Sequence, residues 1–373
     1  MIRILFIMGS MNVGGAETFI MKIFREIDKN KFMFDFLLNV NDETYYEKEI
    51  VDLGGMIFRQ EPKSKKPFKN FIETYTIVKK FKYNVVFKCS EHSLSALDFL
   101  ASLFGGARMR IIRSTNTNLD NGKMSKFLHF SFRPILNALT NVKIAPSIQA
   151  GEWLFGQRQI KKNKVLIINN ALPLELYKFS FESRQKMRSD LGLSEKFIIG
   201  HVGRFNEQKN HRFLLDVFSR VYRNNPNSVL LLIGIGELES IIRDRACILG
   251  IENSVVFLGL RNDIPQLLMA MDLFLFPSLH EGLPNAVIEA EATGLCCIIS
   301  DTISSSVVIN MNVYTLSIYS KIEEWVNLIL SIDYKNFNRI DGMKNLKLKN
   351  YDINKVTGIF QDLFIQSERS NTH

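Results

Sequence analysis

No apolar stretch in the 373 residues reaches the ~18 that cross a bilayer as a helix, so no transmembrane segment is expected. The apolar start Met1-Ile2-Arg3-Ile4-Leu5-Phe6-Ile7-Met8 is too short for a signal peptide, has no cleavage site and runs into Gly9. It is read as a first buried strand. Cysteine is scarce: Cys89, Cys247, Cys296 and Cys297 show neither C-x-x-C nor Cys/His metal spacing. All four are read as reduced core residues of a cytosolic chain. Repeats and low-complexity tracts are missing. The loop Gly9 to Gly15 carries no Lys after its second glycine, and Gly234-Ile235-Gly236 lacks the third glycine of a dinucleotide fingerprint. NTP hydrolysis and nicotinamide chemistry are therefore disfavoured, and Gly234 and Gly236 are expected to make a tight turn.

Acid is short in the first half. Residues 1–170 hold 26 Lys+Arg and 15 Asp+Glu, a balance of +11, while the remainder holds 21 and 23, a balance of −2. The excess gathers at Lys63, Lys65, Lys66 and Lys69, and again at Arg158, Lys161, Lys162 and Lys164. Trp153 and Phe155 read as exposed aromatics beside the second cluster. Such a half suits an anionic partner. No nucleic-acid motif accompanies the charge, and an anionic membrane surface fits better.

What is present is an alternation of short apolar runs and longer helical-period stretches. Strands are expected at 2–8, 33–39, 84–88, 109–113 and 142–146, then at 197–202, 229–233, 254–258, 272–276 and 296–300. Helices are expected between them, including 16–27, 68–82, 123–140, 210–224 and 284–293. This pattern means an α/β chain of parallel sheets covered on both faces. Two such series predict two doubly wound domains, residues 1–170 and 171–345, followed by a helical tail at 346–373. The boundary is set near Asn169-Asn170-Ala171-Leu172-Pro173. Ligands of open parallel sheets bind beyond the carboxyl ends of the strands, so the active site is expected in a cleft between two facing domains.

The most telling run is His280-Glu281-Gly282-Leu283-Pro284-Asn285-Ala286-Val287-Ile288-Glu289-Ala290. A buried strand precedes it, and Gly282 and Pro284 read as a turn into a helix. Glu281 then sits in the loop and Glu289 more than a turn inside the helix. Backbone N–H groups from Gly282 to Asn285 would face a ligand, and helix N-termini bind phosphate. A carboxylate for sugar hydroxyls, bare amides for a pyrophosphate and a second carboxylate for a ribose make a nucleotide-sugar site. In Gly203-Arg204-Phe205-Asn206-Glu207-Gln208-Lys209 a strand end gives way to two cations, Arg204 and Lys209, suited to neutralising a departing diphosphate. Gly14 and Gly15 permit close backbone approach to a ligand at the next helix.

Together, Gly14-Gly15-Ala16-Glu17, the Arg204/Lys209 pair and the E-x7-E run from Glu281 to Glu289 resemble the retaining GT-B glycosyltransferases. The likeness is to the bacterial group that builds capsular, exopolysaccharide and O-antigen chains. It covers residues ~2–330 in order. It implies a nucleotide-diphosphate sugar donor, of which a UDP-sugar is the first expectation, with no cofactor and no required metal. By resemblance, Arg204 and Lys209 bind the diphosphate, and Glu281 with the backbone of Gly282, Leu283, Pro284 and Asn285 holds sugar and phosphate. Glu289 binds the ribose, the base lies near Leu260 and Arg261, Gly203 opens the donor loop, and Gly14 and Gly15 close over the phosphates. The acceptor would be a polyprenyl-diphosphate-linked saccharide, with a peripheral place on the inner face of the cell membrane and other polysaccharide-assembly enzymes as partners. Many relatives carry a histidine after the strand that ends near Arg113. Here the loop reads Arg113-Ser114-Thr115-Asn116, so Arg113, Thr115 or Asn116 stands on the acceptor side. That loss leaves open a non-catalytic nucleotide-binding subunit, and a UDP-sugar epimerase of the same fold is a further alternative.

Overall fold

The computed structural model describes residues 1–115, 122–281, 283–334 and 338–369. Asn116 and Gly282 lie outside them. The chain divides into two compact units, Met1–Leu172 with the segment from Asn350 onward, and Pro173–Lys349.

The first unit is built on seven strands: β1 (Ile2–Met8), β2 (Phe32–Leu38), β3 (Ile57–Arg59), β4 (Val85–Ser90), β5 (Met109–Ser114), β6 (Val142–Ala145) and β7 (Leu166–Ile167). Their spatial order is β3-β2-β1-β4-β5-β6-β7, and the described pairings are parallel. Helices cover both faces, so the central strands are buried on both sides and read as unbroken apolar runs. β2 is buried at all seven positions. The core above one face is rich in phenylalanine: Phe6, Phe19, Phe24, Phe32, Phe34, Phe36 and Phe87. The helix Ile353–Arg369 completes it with Val356, Phe360, Leu363 and Phe364. Phe360 lies 5.8 Å from Phe87, and Phe364 stands edge-on to Phe34 at 5.9 Å. Leu172 exchanges backbone hydrogen bonds with Tyr351 and Ile353 (2.8 and 2.9 Å), so both chain crossings are tied together in this unit.

The second unit has six strands: β8 (Phe197–Val202), β9 (Ser228–Ile233), β10 (Val255–Gly259), β11 (Leu273–Phe276), β12 (Cys296–Ser300) and β13 (Val313–Leu316). Their order is β10-β9-β8-β11-β12-β13. Both sheets therefore reverse direction of growth once, at β1/β4 and at β8/β11. Such reversals open a crevice at the carboxyl ends of the strands. Arg184 and Arg339 donate to the carbonyls that end the helix Ile264–Ala270, and Arg184 also pairs with Asp272 at 2.5 Å. Together with Arg188, which donates to Ala270 O at 2.8 Å, these arginines satisfy the carbonyls of that helix C-terminus and fix the entry to β11. Burial pushes Arg339 down to about 9.

Three strands went unread in the sequence. β3 and β7 are very short, and β7 is exposed at both of its residues. β13 has four residues, of which only Val313 is fully buried and Thr315 is exposed. Edge strands bury only part of their surface, so no apolar run marks them.

Candidate active site

The site grows from the β8/β11 reversal. Beyond Val202 the chain runs through Gly203 to Asn206, whose side chain accepts from the Lys209 amide at 3.2 Å and so caps the short turn Glu207–Lys209. Asn210 adopts a left-handed conformation (φ 54°) and starts the helix His211–Asn224; Asn tolerates that region better than most residues. Beyond Phe276 the neighbouring loop is stitched to this one. Leu279 N donates to Gln208 O (2.8 Å), Gln208 Nε2 to His280 O (2.9 Å) and Asn210 Nδ2 to Pro277 O (3.2 Å). The two loops thus deliver Lys209 and Glu281 to one point, where Lys209 Nζ meets Glu281 Oε1 at 2.5 Å. Both side chains are mostly shielded, at 16% and 13% exposure. The ammonium also lies 4.5 Å from the Phe276 ring centroid, a cation–π contact that limits its freedom.

Beneath this pair lies an imidazole layer that sequence reading missed. His201 is fully buried, stacks on Phe276 at 5.2 Å, and places Nδ1 3.0 Å from Leu275 O. His211 meets it edge-on at 4.7 Å. Burial, then the mutual proximity of the rings, drives His201 well below the usual imidazole range. Burial and the nearby Lys209 bring His211 down to about 4. Neutral rings leave the pair's charge balance undisturbed. A Cβ at Gly203 would approach His201 Nε2 at 3.0 Å and the Lys209 stem at 3.2 Å, so a side chain there would crowd the ring and the stem that carries the ammonium.

Gly236 opens the expected turn, its carbonyl accepting from Glu239 N at 3.2 Å, but the two glycines also serve a close approach. They let the loop after β9 lie against the loop after β8: a Cβ at Gly234 would stand 2.1 Å from Gly203 O, and one at Gly236 2.3 Å from Phe205 O. Phe205 N donates to Ile235 O and Leu238 N to Phe205 O. The backbone of 203–205 is set by these two close approaches.

The helix after Glu281 runs Asn285–Ala292, with Pro284 as its N-cap. Pro284 has no N–H, so it contributes no donor to the expected row of amides. Glu289 lies in the third quarter of this helix and hydrogen-bonds the hydroxyl of Tyr177, a buried residue of the turn Leu174–Tyr177. Burial and then the Glu289 charge raise the Tyr177 phenol well above its usual range. The spacing to Tyr177 is over a hundred residues, which is why no motif pointed to it. Glu291, two residues on and about 200° round the helix, is fully buried on the other side. Its Oε2 accepts from Ile309 N and Asn310 N (3.1 and 2.8 Å). Burial outweighs these bonds and lifts the carboxyl to about 8.

Other expected residues stand apart from this centre. Arg204 is turned to solvent, 72% exposed, and faces Glu237 at 3.6 Å; it does not share the Lys209 pair. Leu260 is exposed just past β10, and Arg261 is held by Asp263 through two bonds (2.8 and 2.5 Å). In the first unit Gly14 caps the helix Gly15–Glu26. A Cβ there would stand 2.4 Å from the Glu17 carboxylate, so an acid, raised by its burial, leans over the expected phosphate loop. Arg113 is 2% exposed. Its guanidinium stacks on Phe19 (3.9 Å to the centroid) and donates to Asn170 Oδ1 at 2.5 Å, and burial lowers it to about 10. Arg113 is thus an internal brace and does not reach out to an acceptor, whereas Thr115 is partly exposed. His92 is likewise engaged, accepting from Leu94 N (3.0 Å), with Nε2 3.1 Å from Ser125 O.

Three readings of the surface are corrected. Phe155 is buried in the core, and Trp153 is half-buried, stacked on His129 at 4.8 Å with its indole N–H donated to Glu91 O at 3.0 Å. The 63–69 lysine cluster is largely neutralised: Lys63 pairs with Asp98 (2.6 Å), and Lys66 and Lys69 pair with Glu61 (3.3 and 3.2 Å). Cys247 is exposed, whereas Cys296 and Cys297 lie in the core and the half-buried Cys89 packs against it.

Chemically, the second unit offers a shielded cation beside a carboxylate at the mouth of a parallel sheet, and a second carboxylate further into the helix that follows. This suits a ligand carrying phosphate next to hydroxyls. Among the described residues no group of three or more His, Cys, Asp or Glu is placed to hold a metal, and no helix is long and apolar enough to cross a membrane.

Residues 183–334 match the family model described as glycosyl transferases group 1. The chain is 32% identical over 333 residues to the putative glycosyltransferase EpsF of Bacillus subtilis, covering 88% of this chain and 86% of that protein. It is 26% identical over 309 residues, 80% of each chain, to the Escherichia coli UDP-Gal:alpha-D-GlcNAc-diphosphoundecaprenol alpha-1,3-galactosyltransferase. Among solved structures, Anabaena HepE in complex with UDP superposes with a TM-score of 0.78 at 18% identity, over 98% of this chain and 100% of that one. WaaG, a glycosyltransferase involved in lipopolysaccharide biosynthesis, gives 0.71 at 14%, over 97% and 99%. At these identities the likeness concerns the fold, which is GT-B.

Proposed function

Since this chain belongs to the glycosyl transferases group 1 family, we propose that it moves a sugar from a nucleoside-diphosphate donor to a lipid-linked saccharide during assembly of a surface polysaccharide. The observation that carries the reading is the Lys209–Glu281 pair, held at 2.5 Å by two stitched loops at the sheet reversal. The Lys209 ammonium would exchange Glu281 for the donor's diphosphate and stabilise the charge that grows on it as the glycosidic bond breaks. Glu281, released, would accept hydrogen bonds from sugar hydroxyls. Glu289, oriented by Tyr177, would accept from the ribose, and the exposed Arg204 is free to swing onto the outer phosphate. Leu260 would border the base.

A UDP-sugar is the favoured donor, since the E. coli relative's name specifies UDP-Gal. That name also gives a diphosphoundecaprenol acceptor, and a Campylobacter jejuni relative, 27% identical over 210 residues, carries a diphospho-undecaprenol substrate in its name as well. The reading includes retention of anomeric configuration, independence from metal, and a peripheral place on the cytoplasmic face of the membrane.

The test is a donor screen. Purified protein is incubated with UDP-, GDP- and ADP-sugars and membrane lipid extract, with and without EDTA, and nucleotide release and labelled lipid product are followed. Release from one donor, dependent on lipid, unaffected by EDTA and lost in Lys209→Ala and Glu281→Ala, is expected. Nucleotide binding without turnover of any donor would replace the reading with that of a non-catalytic subunit.

A further inference from the structure

The helix Lys123–Leu139 buries only His129 and Leu136, yet its opposite face is apolar as well. At ~100° per residue, Met124, Phe127, Pro134, Ile135 and Ala138 fall on one outward stripe, with Phe130 at its margin. Met124 is 71% exposed and Phe127 66%. Surface helices normally turn charged residues outward, and a contiguous apolar patch marks a contact surface. The charge around the stripe has one sign. Between residues 122 and 167 the sequence holds eight Lys and Arg against Glu152 alone, and Lys123, Lys126, Arg158, Lys161, Lys162 and Lys164 are exposed.

The helix is also firmly placed. It follows β5 and precedes β6 in a parallel sheet, so Met124 and Phe127 lie toward the carboxyl ends of the strands, where this unit's ligand is expected. His92 Nε2 lies 3.1 Å from Ser125 O, and His129 Nδ1 accepts from Ser93 N at 3.2 Å. The stripe is thereby tied to the loop that follows β4.

We infer that this outward face is where the protein lies on an anionic bilayer, with Met124 and Phe127 sunk among the headgroups and the surrounding lysines at the level of the lipid phosphates. An apolar stripe inside a basic rim is the pattern of a helix that rests in a membrane interface. A second copy fits less well, because pairing two such faces would bring two basic rims of the same sign together. The inference rests on the proposed lipid-linked acceptor and adds to it the place where the protein meets the acceptor's membrane.

The experiment is co-sedimentation of the full chain with vesicles of equimolar phosphatidylcholine and phosphatidylglycerol, and with phosphatidylcholine alone. Binding to the anionic vesicles only, weakened by salt, is expected. Met124→Ser combined with Phe127→Ser should lower the partition coefficient at least about tenfold while leaving thermal unfolding unchanged, since both side chains are exposed. Undiminished binding by the double variant would overturn the assignment. So would a wild type that stays with the supernatant, and a dimer in sedimentation equilibrium that the double variant dissolves would then name a second copy as the occupant. Nucleotide release with a water-soluble acceptor should be equal in wild type and double variant. Its absence from both, with vesicle binding still dependent on Met124 and Phe127, would sink the proposed transfer reaction and leave the membrane surface standing.

Discussion

Glu291→Gln should change how the second unit's stability responds to pH. Glu291 is fully buried, and burial lifts its carboxyl from an ordinary 4.5 to about 8. Because the folded value is raised, the folded state holds a proton that the unfolded state releases above ~pH 5. Stability therefore falls as pH rises, by about 1.4 kcal/mol per pH unit, and levels off past the folded value near 8. Over the window from ~pH 5 to ~pH 8 the loss amounts to roughly 4 kcal/mol, a large share of a typical domain's stability. Glutamine keeps the acceptor for Ile309 N and Asn310 N but has no proton to lose. It leaves an amide N–H2 buried without a partner, at a cost of ~1–2 kcal/mol at low pH. The variant should be the less stable protein near pH 5 and the more stable one above pH 8. Urea unfolding followed by Trp325 fluorescence in a Trp153→Phe background reports this unit alone, since Trp325 is fully buried in it. Parallel pH curves for the two proteins would refute the reasoning, because they would mean that Glu291 is ionised throughout.

Three further outcomes follow from the geometry. Tyr177→Phe removes the hydroxyl that holds Glu289 and should raise the donor KM about fivefold, or ~1 kcal/mol, with kcat little changed; steady-state kinetics decide, and an unchanged KM would detach Glu289 from donor binding. Gly234→Ala drives a Cβ to 2.1 Å from Gly203 O, so the 203–205 backbone must shift; nucleotide affinity should fall at least tenfold, measured by calorimetry against a folded control. Phe360→Ala empties a site between Phe19, Phe87 and Phe364 and should destabilise the first unit by ~3–5 kcal/mol without moving the Trp325 transition of the second.

Much of the fold was legible because parallel strands buried on both faces must be apolar at successive positions. Phe32 to Leu38 and Leu273 to Phe276 announce themselves in this way. The short edge strands β3, β7 and β13 carry no such signature. Glu281 and Lys209 were readable because each lies just beyond a central strand, where turn residues and polar groups replace the apolar run. Their direct pairing was not, since it depends on which strands are neighbours, and β8 meets β11 only through the reversal of sheet order. Tyr177, His201 and His211 were invisible for the same reason: each makes its contacts with a partner distant in sequence or across a strand end. Arg113 misled because its charge suggested solvent, whereas the ring of Phe19 and the amide of Asn170 accommodate it inside. The Lys63 to Lys69 cluster misled because Asp98 and Glu61, which neutralise it, are remote or unremarkable in the sequence.

The account's central claim is that Lys209 leaves Glu281 to take the donor's diphosphate. Calorimetric titration of UDP into wild type, Lys209→Met and Glu281→Gln tests it most directly. Lys209→Met should weaken binding about ten- to a hundredfold, the loss of one charge-assisted contact. Glu281→Gln should bind at least as tightly as wild type, because its ammonium is no longer engaged. Equal affinity of wild type and Lys209→Met, or no UDP binding by any of the three, would contradict the claim.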